Sequence, residues 1–241
     1  MRRDNSVELY GVYGGDKTHC LSAWTSTFEE LGIEIPERLG DRVDKIFAYV
    51  CKLKQKTPDE LLTMLAEAGH HTPFEKSALH FIVRTDIATH IHILKHRIGI
   101  SVNAESARYK ELKDDNYIVP DDWLGVKVND CPRAEAFGSN WADVLNNFTV
   151  VANELYHAAL KDLEVPLGRK RAKESARFFK GYNSQIQADV MFNWRSFYHF
   201  LKLRNKPEAQ KEVREVAAQM LKLVKGIEGN PFELTIKAFK L

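Results

Sequence analysis

Lys95-His96-Arg97-Ile98-Gly99-Ile100-Ser101-Val102-Asn103-Ala104-Glu105-Ser106-Ala107-Arg108-Tyr109 is the densest polar cluster of the chain. It follows a helical pattern that Asp86 can cap, with Ile87, Ile91, Leu94 and Ile98 on one face and Gly99 as its breaker. Two cations and an imidazole at a helix end suit the negative end of the helix dipole, so a solvated basic helix end is their plainest explanation. The continuation shifts the balance. Hydroxyl, amide, carboxylate and guanidinium groups alternate with small residues, which lets a ligand come close to charge-assisted donors. Residues 101–116 are polar and irregular and read as a loop, where binding groups often sit.

Working outward, Val7 to Val12 reads as a strand ending at Gly14-Gly15, and residues 18–30 as a helix. Thr57-Pro58-Asp59-Glu60 is a helix start: Thr57 caps, Pro58 suits the first helical position and Glu60 completes a capping box. Leu61, Leu62, Met64 and Leu65 form its apolar stripe, and Gly69 stops it. Ala78 to Val83 is a strand, Trp141 to Leu163 a long amphipathic helix, and Pro166-Leu167-Gly168 a punctuation before a basic helical segment, Arg169 to Lys180. Gln185 to Val190 alternates as a half-buried strand does. Arg195 to Leu203 and Pro207 to Ile227 read as two more helices. No repeat, low-complexity segment or linker interrupts the pattern.

With 241 residues, 44% apolar and 28% charged, the chain has an ordinary globular composition. A net charge of +2 argues against a general nucleic-acid coat protein but leaves room for local phosphate pockets. Cys20, Cys51 and Cys131 are odd in number and far apart, which disfavours a disulfide framework or a cysteine zinc site. A reducing cytoplasm is the expected compartment. Met1-Arg2-Arg3-Asp4-Asn5 turns polar at once, so no signal peptide is expected. No run approaches the roughly 20 apolar residues of a membrane span.

Two further clusters stand out. Gly69-His70-His71-Thr72-Pro73-Phe74-Glu75 reads by itself as a helix end and a turn. Arg177 precedes Asn193, Arg195, His199 and Arg204, which by themselves read as surface ion-pair formers. His199 and Arg204 are five apart and do not share a helix face.

Taken in order, the three clusters resemble the flavin-dependent thymidylate synthases. That family carries an R-H-R triplet with S-x-N-x-x-S-x-R-Y beyond it, a G-H-x-[ST]-P-F-E-like motif upstream, and downstream an arginine, then N-x-R-S-x-x-x-F-L-x-L-R and A-Q. The chain has K-H-R-I-G-I-S-V-N-A-E-S-A-R-Y at 95–109, G-H-H-T-P-F-E at 69–75, Arg177, N-W-R-S-F-Y-H-F-L-K-L-R at 193–204 and Ala209-Gln210. It departs from the pattern at Lys95, which replaces an arginine and loses the planar fork. It departs again at His92 for a glutamine, His199 for an asparagine and Ala104 for an acid, with Glu105 one position on. Eight residues separate Arg97 from Ser106, one more than the family has, which places an insertion around Ile98-Gly99-Ile100.

The resemblance implies an α+β fold, a central mixed sheet flanked by helices, in one catalytic domain spanning 1–241. It implies conversion of dUMP to dTMP with FAD as cofactor and NADPH and 5,10-methylenetetrahydrofolate as co-substrates, in a homotetramer that shares its active sites. Thr72, Lys95, His96, Arg97, Glu105, Asn193, Arg195 and His199 would hold FAD. His92, Ser106, Ala107, Arg108, Arg177 and Arg204 would hold dUMP. Arg204 would stabilise charge on the uracil ring, and His70 would lie near the flavin and folate. No cysteine falls in these clusters, and Ser106 has no base in its own loop, so the serine reads as an orienting contact rather than a nucleophile.

Three rivals remain beside it. His92 and His96 have metal-ligand spacing with His90 nearby, but Lys95 and Arg97 would repel a cation and no H-E-x-x-H is present, so no metal site is expected. The absence of G-x-G-x-x-G and G-K-[ST] removes Rossmann and P-loop readings. A non-catalytic nucleotide- or RNA-binding module would use the basic segment Arg169, Lys170, Arg171, Lys173, Arg177 and Lys180, which otherwise reads as a solvated helix face. A sister enzyme would take dCMP, or leave a hydroxymethyl group.

Overall fold

The computed structural model describes residues 1–30, 32–40, 42–106, 108–112 and 114–241. The elements run β1 (Ser6–Gly14), α1 (Asp16–Thr25), α2 (Val43–Leu53), α3 (Pro58–Glu67), β2 (Ser77–Asp86), α4 (Ile87–Leu94), β3 (Ile100–Ala104), α5 (Pro132–Glu135), α6 (Trp141–Ala176), β4 (Gln185–Phe192), α7 (Trp194–Arg204), α8 (Lys211–Lys225) and α9 (Glu233–Ala238). The fold is α+β, as expected. The sheet has the order β1-β2-β4-β3, with antiparallel strands. Tertiary contacts sort the chain into two compact units: residues 1–6, 83–95 and 103–188 form the first, and 7–82, 96–102 and 189–241 the second.

Start signals in the sequence translate directly into structure. Thr57 caps α3, its hydroxyl accepting from Glu60 N–H while Glu60 accepts from Thr57 N–H at 2.9 Å. Gly69 follows with φ 73°. Asp86 caps α4, accepting from Thr89 N–H at 2.8 Å.

Other expectations are corrected. The helix expected over 18–30 ends at Thr25. Residues 101–116 are not all loop, because Ile100–Ala104 form β3. Helix α4 ends at Leu94, so Ile98 is not on it; Ile98 is 81% exposed, and Ile91 and Leu94 are exposed as well. The fully buried isoleucine of α4 is Ile93, which that face leaves out, since a helix of this length turns one narrow stripe inward. The punctuation expected at Pro166-Leu167-Gly168 is present, since α6 breaks at Gly168, whose φ is 76° and ψ 155°, but the α-helical segment beyond it ends at Ala176 and not at Lys180.

In the first unit, Tyr156, Leu160, Ala172 and Ala176 form one apolar cluster across the break in α6. The Lys180 side chain, 4% exposed, bonds Asp115 at 2.5 Å and Asn153 at 2.7 Å and lies over the Tyr156 ring. Burial would raise the Asp115 carboxyl, but hydrogen bonds from Lys180 and His157 bring it net below its ordinary range.

The second unit is built on aromatic packing. Phe81 of β2, Phe192 of β4 and Phe197 and Phe200 of α7 are fully buried, with Phe81 stacked on Phe197. Behind them a buried polar chain joins α1, β2 and α9. Asp16 accepts from the backbone N–H groups of Leu234 and Thr235 and from the Thr235 hydroxyl. Having given its only proton to Asp16, that hydroxyl receives His19 Nδ1–H at 2.9 Å, which leaves His19 Nε2 to accept from Ser77 at 2.8 Å. Burial holds the His19 ring neutral, with its pKa lowered to about 3.

Below the ordinary histidine value of 6.5 the unfolded chain therefore binds a proton that the folded chain refuses. The stabilisation is complete above that value and is lost as pH falls toward 3. Replacing His19 with Gln should remove up to one proton, about 1.4 kcal/mol per pH unit, from the acid slope of stability. Denaturant melts of both proteins between pH 7 and 4.5 check this; parallel slopes would refute the neutral buried ring.

Candidate active site

In the second unit, α7 is the rail on which Arg195, His199 and Arg204 are mounted. Asn193 caps it, accepting from Ser196 N–H at 2.9 Å. The backbone N–H of Asn193 donates to Gly99 O at 2.9 Å, and the Ser196 hydroxyl donates to Ile98 O at 2.5 Å. Gly99 has φ 66°, and a Cβ there would lie 2.3 Å from both Asn193 Nδ2 and Ser196 Oγ. The segment is thus seated on the first turn of α7 by a contact that only glycine permits. The insertion expected from the family resemblance falls in this same Ile98-Gly99-Ile100 stretch.

The seat aims His96. Its ring packs edge-on to Phe200 at 5.1 Å and lies 5.9 Å from His199. Its Nε2 accepts from Arg204 Nε at 3.2 Å. A guanidinium only donates, so His96 must present a lone pair at Nε2. His199 and Arg204, which helix spacing keeps on different faces, are therefore joined through His96. Arg97 points to the surface.

The turn after α3 brings the second motif to the same unit. His70 and Thr72 are exposed, while His71 between them lies against Tyr198 and Phe239. Glu75 Oε1 pairs with Arg195 Nη1 at 2.5 Å and ties this turn to the start of α7. His70, Thr72, His96, Arg97, Asn193, Arg195, His199 and Arg204 all belong to this one unit.

The first unit holds Lys95, His92, Glu105, Ser106, Arg108 and Arg177. Lys95 is the exposed C-cap of α4, and His92 lies in its last turn. Glu105 extends the β3–β4 ladder: its N–H donates to Gln187 O at 2.8 Å and its carboxylate accepts from Gln187 N–H at 3.0 Å. The other carboxylate oxygen pairs with Lys110 at 2.7 Å. Ser106 Oγ accepts from Arg108 N–H at 3.3 Å. Ala107 lies outside the described residues. Arg108 Nε pairs with Glu174 at 2.6 Å and holds that carboxyl below its ordinary range. Exposed Arg177 caps the same helix, one turn beyond Glu174.

Sequence reasoning missed the carboxylates that hold these cations, Glu75 and Glu174, and the role of Ser196. Glu75 and Ser196 stood inside quoted motifs, and Glu174 stands three residues before Arg177, a helical spacing that could have drawn attention to it. Among the described residues, no group of three or more His, Cys, Asp or Glu side chains could hold a metal ion, and no helix is long and apolar enough to cross a membrane.

The family model described as thymidylate synthase complementing protein matches residues 14–228. The flavin-dependent thymidylate synthase of Thermosipho africanus is 32% identical over 181 residues, covering 70% of this chain and 74% of the relative. That of Thermosipho melanesiensis is 33% identical over the same length and coverage. The crystal structure of a UMP/dUMP methylase, PolB, from Streptomyces cacaoi bound with 5-Br dUMP has a TM-score of 0.69 and 25% identity, covering 99% of this chain and 96% of that one. Fold and relatives together define an enzyme of the methyltransferase class. The chain belongs to the thymidylate synthase complementing protein family, which matches it across both units.

Gly99→Ala should lower stability by at least about 1–2 kcal/mol, because an L-residue must hold a left-handed conformation, and more if Asn193 and Ser196 are pushed aside. Thermal melts of the two proteins measure it, and an unchanged midpoint would show that the seat does not need glycine.

Proposed function

We propose that the chain catalyses the FAD-dependent reductive methylation of dUMP to dTMP, with 5,10-methylenetetrahydrofolate as carbon donor and NADPH as reductant. The observation that carries this reading is the Arg204 guanidinium held by the His96 lone pair at the end of α7, with His199 against the same imidazole.

The donor set of the second unit fits FAD. Arg97 and Arg195 are exposed cations suited to a diphosphate, and Thr72, Asn193, His96 and His199 offer hydroxyl, amide and imidazole partners for ring edges. Lys95 and Glu105 join this set by resemblance, and Glu105 does so while engaged with Gln187 and Lys110. Reduced FAD supplies a hydride when bound, and the protein's part is binding, orientation and field. Arg204 holds the pyrimidine edge and stabilises negative charge developing on the ring. Arg108 and Arg177, with Ser106, Ala107 and His92, take the nucleotide and its phosphate. The Arg108 fork has donors beyond the Nε that bonds Glu174. His70, exposed on the turn that carries Thr72, lies near the folate and flavin in this reading.

The substrate test is product mass. Purified protein is incubated anaerobically with FAD, NADPH, methylenetetrahydrofolate and dUMP, with parallel UMP and dCMP reactions. FAD-dependent dTMP is the expected result. A methylated UMP would extend the reading to ribonucleotides, as the name of PolB suggests for that protein, and a hydroxymethyl or dCMP product would assign a sister reaction. No product and no retained FAD would favour a nucleotide- or RNA-binding module. In the same assay, Arg204→Ala should keep FAD and lose turnover by roughly 10–150-fold, the equivalent of about 1.5–3 kcal/mol for a charge-assisted contact. Normal turnover would remove Arg204 from the site.

A homotetramer with shared active sites, in the cytoplasm, completes the proposal. Phe148, Val151 and Leu155 are exposed at helical spacing on α6, which supports a subunit contact. Light scattering should give four copies at assay concentration, and activity should fall on dilution to monomers. A fully active monomer would overturn shared sites.

A further inference from the structure

The 229–241 segment lies beyond residues 14–228, the part that the family model matches. In the second unit it forms a strap with three fastenings. Asp16 caps α9 through the N–H groups of Leu234 and Thr235, both at 2.8 Å. Lys237 pairs with Asp59 and Lys240 with Glu67, at the two ends of α3. Phe239 then enters an aromatic cluster. Its ring centroid lies 4.5 Å from Tyr198, 4.7 Å from Phe74 and 5.3 Å from His71.

The partners of that ring matter. His71 stands between exposed His70 and Thr72. Tyr198 stands beside His199 on α7 and one turn after Arg195. Phe239 thus touches both the turn and the helix that carry donor groups of the second unit. The Glu75–Arg195 ion pair is a second link between the same turn and the same helix. Phe239 is 8% exposed, and its ring contacts residues adjacent to donor groups on both elements.

We propose that Phe239 is a positioning residue for the flavin: acting through His71 and Tyr198, it sets the distance between the His70–Thr72 turn and the His199 face of α7. The inference rests on the FAD reading above. It assigns the 229–241 strap a share in cofactor retention, which residues 14–228 alone would not supply.

The test is a titration of purified protein with FAD, read by flavin fluorescence and by the visible absorption band of the bound flavin, alongside thermal melts without FAD. Wild-type protein is titrated first; if it binds no FAD, the functional reading fails before Phe239 is examined. Given wild-type binding, Phe239→Leu keeps apolar bulk but loses the ring edges. It should weaken FAD at least tenfold and shift the visible band, with a melt within a few degrees of wild type. Phe239→Tyr, which keeps the ring, should restore both. His71→Leu removes the contact from the other side and should weaken FAD likewise, which carries the test if Phe239→Leu does not fold. Wild-type FAD affinity and spectrum in folded Phe239→Leu, or in His71→Leu, would overturn the proposal.

Discussion

The carbonyls of Ile98 and Gly99 each receive a hydrogen bond from the first turn of α7, and no Cβ could fit between them and that turn. Two hydrogen bonds and one left-handed residue set where His96 stands. His96 in turn joins His199 and Arg204, which the helix by itself would point apart. Helix geometry alone places side chains to within a turn, and reactive groups need closer placement than that. Here the extra precision comes from a loop folded down onto a capped helix end. The cap residue serves both purposes, since Asn193 bonds Ser196 with its side chain and Gly99 with its backbone.

Local grammar was readable in the sequence, and long-range pairing was not. Thr57 and Asp86 cap helices because a short oxygen-bearing side chain reaches the third N–H on, and that is visible in a linear string. Strand β3 was missed because Ile-Ser-Val-Asn-Ala lies among polar residues, and its strand character comes from pairing beside β4. The apolar face inferred for Ile87, Ile91, Leu94 and Ile98 failed for a related reason: periodicity says which residues share a side, not whether anything covers it. Helices α2 and α9 went unread. The motifs at 69–75 and 193–204 were legible, and the structure brings them into one unit. That Phe239 would lie beneath the first of them was not, because nothing in a string of residues ties positions 71 and 239.

Several cations are each held by a carboxylate. Arg195 has Glu75, Arg108 has Glu174, Lys110 has Glu105, and Lys180 has Asp115. This is how a chain of net charge +2 can carry many cations near candidate phosphate sites without a broadly basic surface. Such partners also hold long side chains in one orientation. The contribution of exposed pairs to stability is small, so their main effect here is on direction. Lys180 differs, being almost wholly buried, and its ammonium would be an uncompensated charge without Asp115.

The break at Gly168 divides α6 into two rods with independent phase. In an unbroken helix each added or lost residue rotates everything after it by about 100°. A joint in the left-handed region absorbs such a change. The length of α6 before the joint can therefore vary while Arg171, Glu174 and Arg177, all after it, keep their mutual facing. One glycine thus separates the part of the helix that spans the unit from the part that carries its arginines, and the two can drift independently.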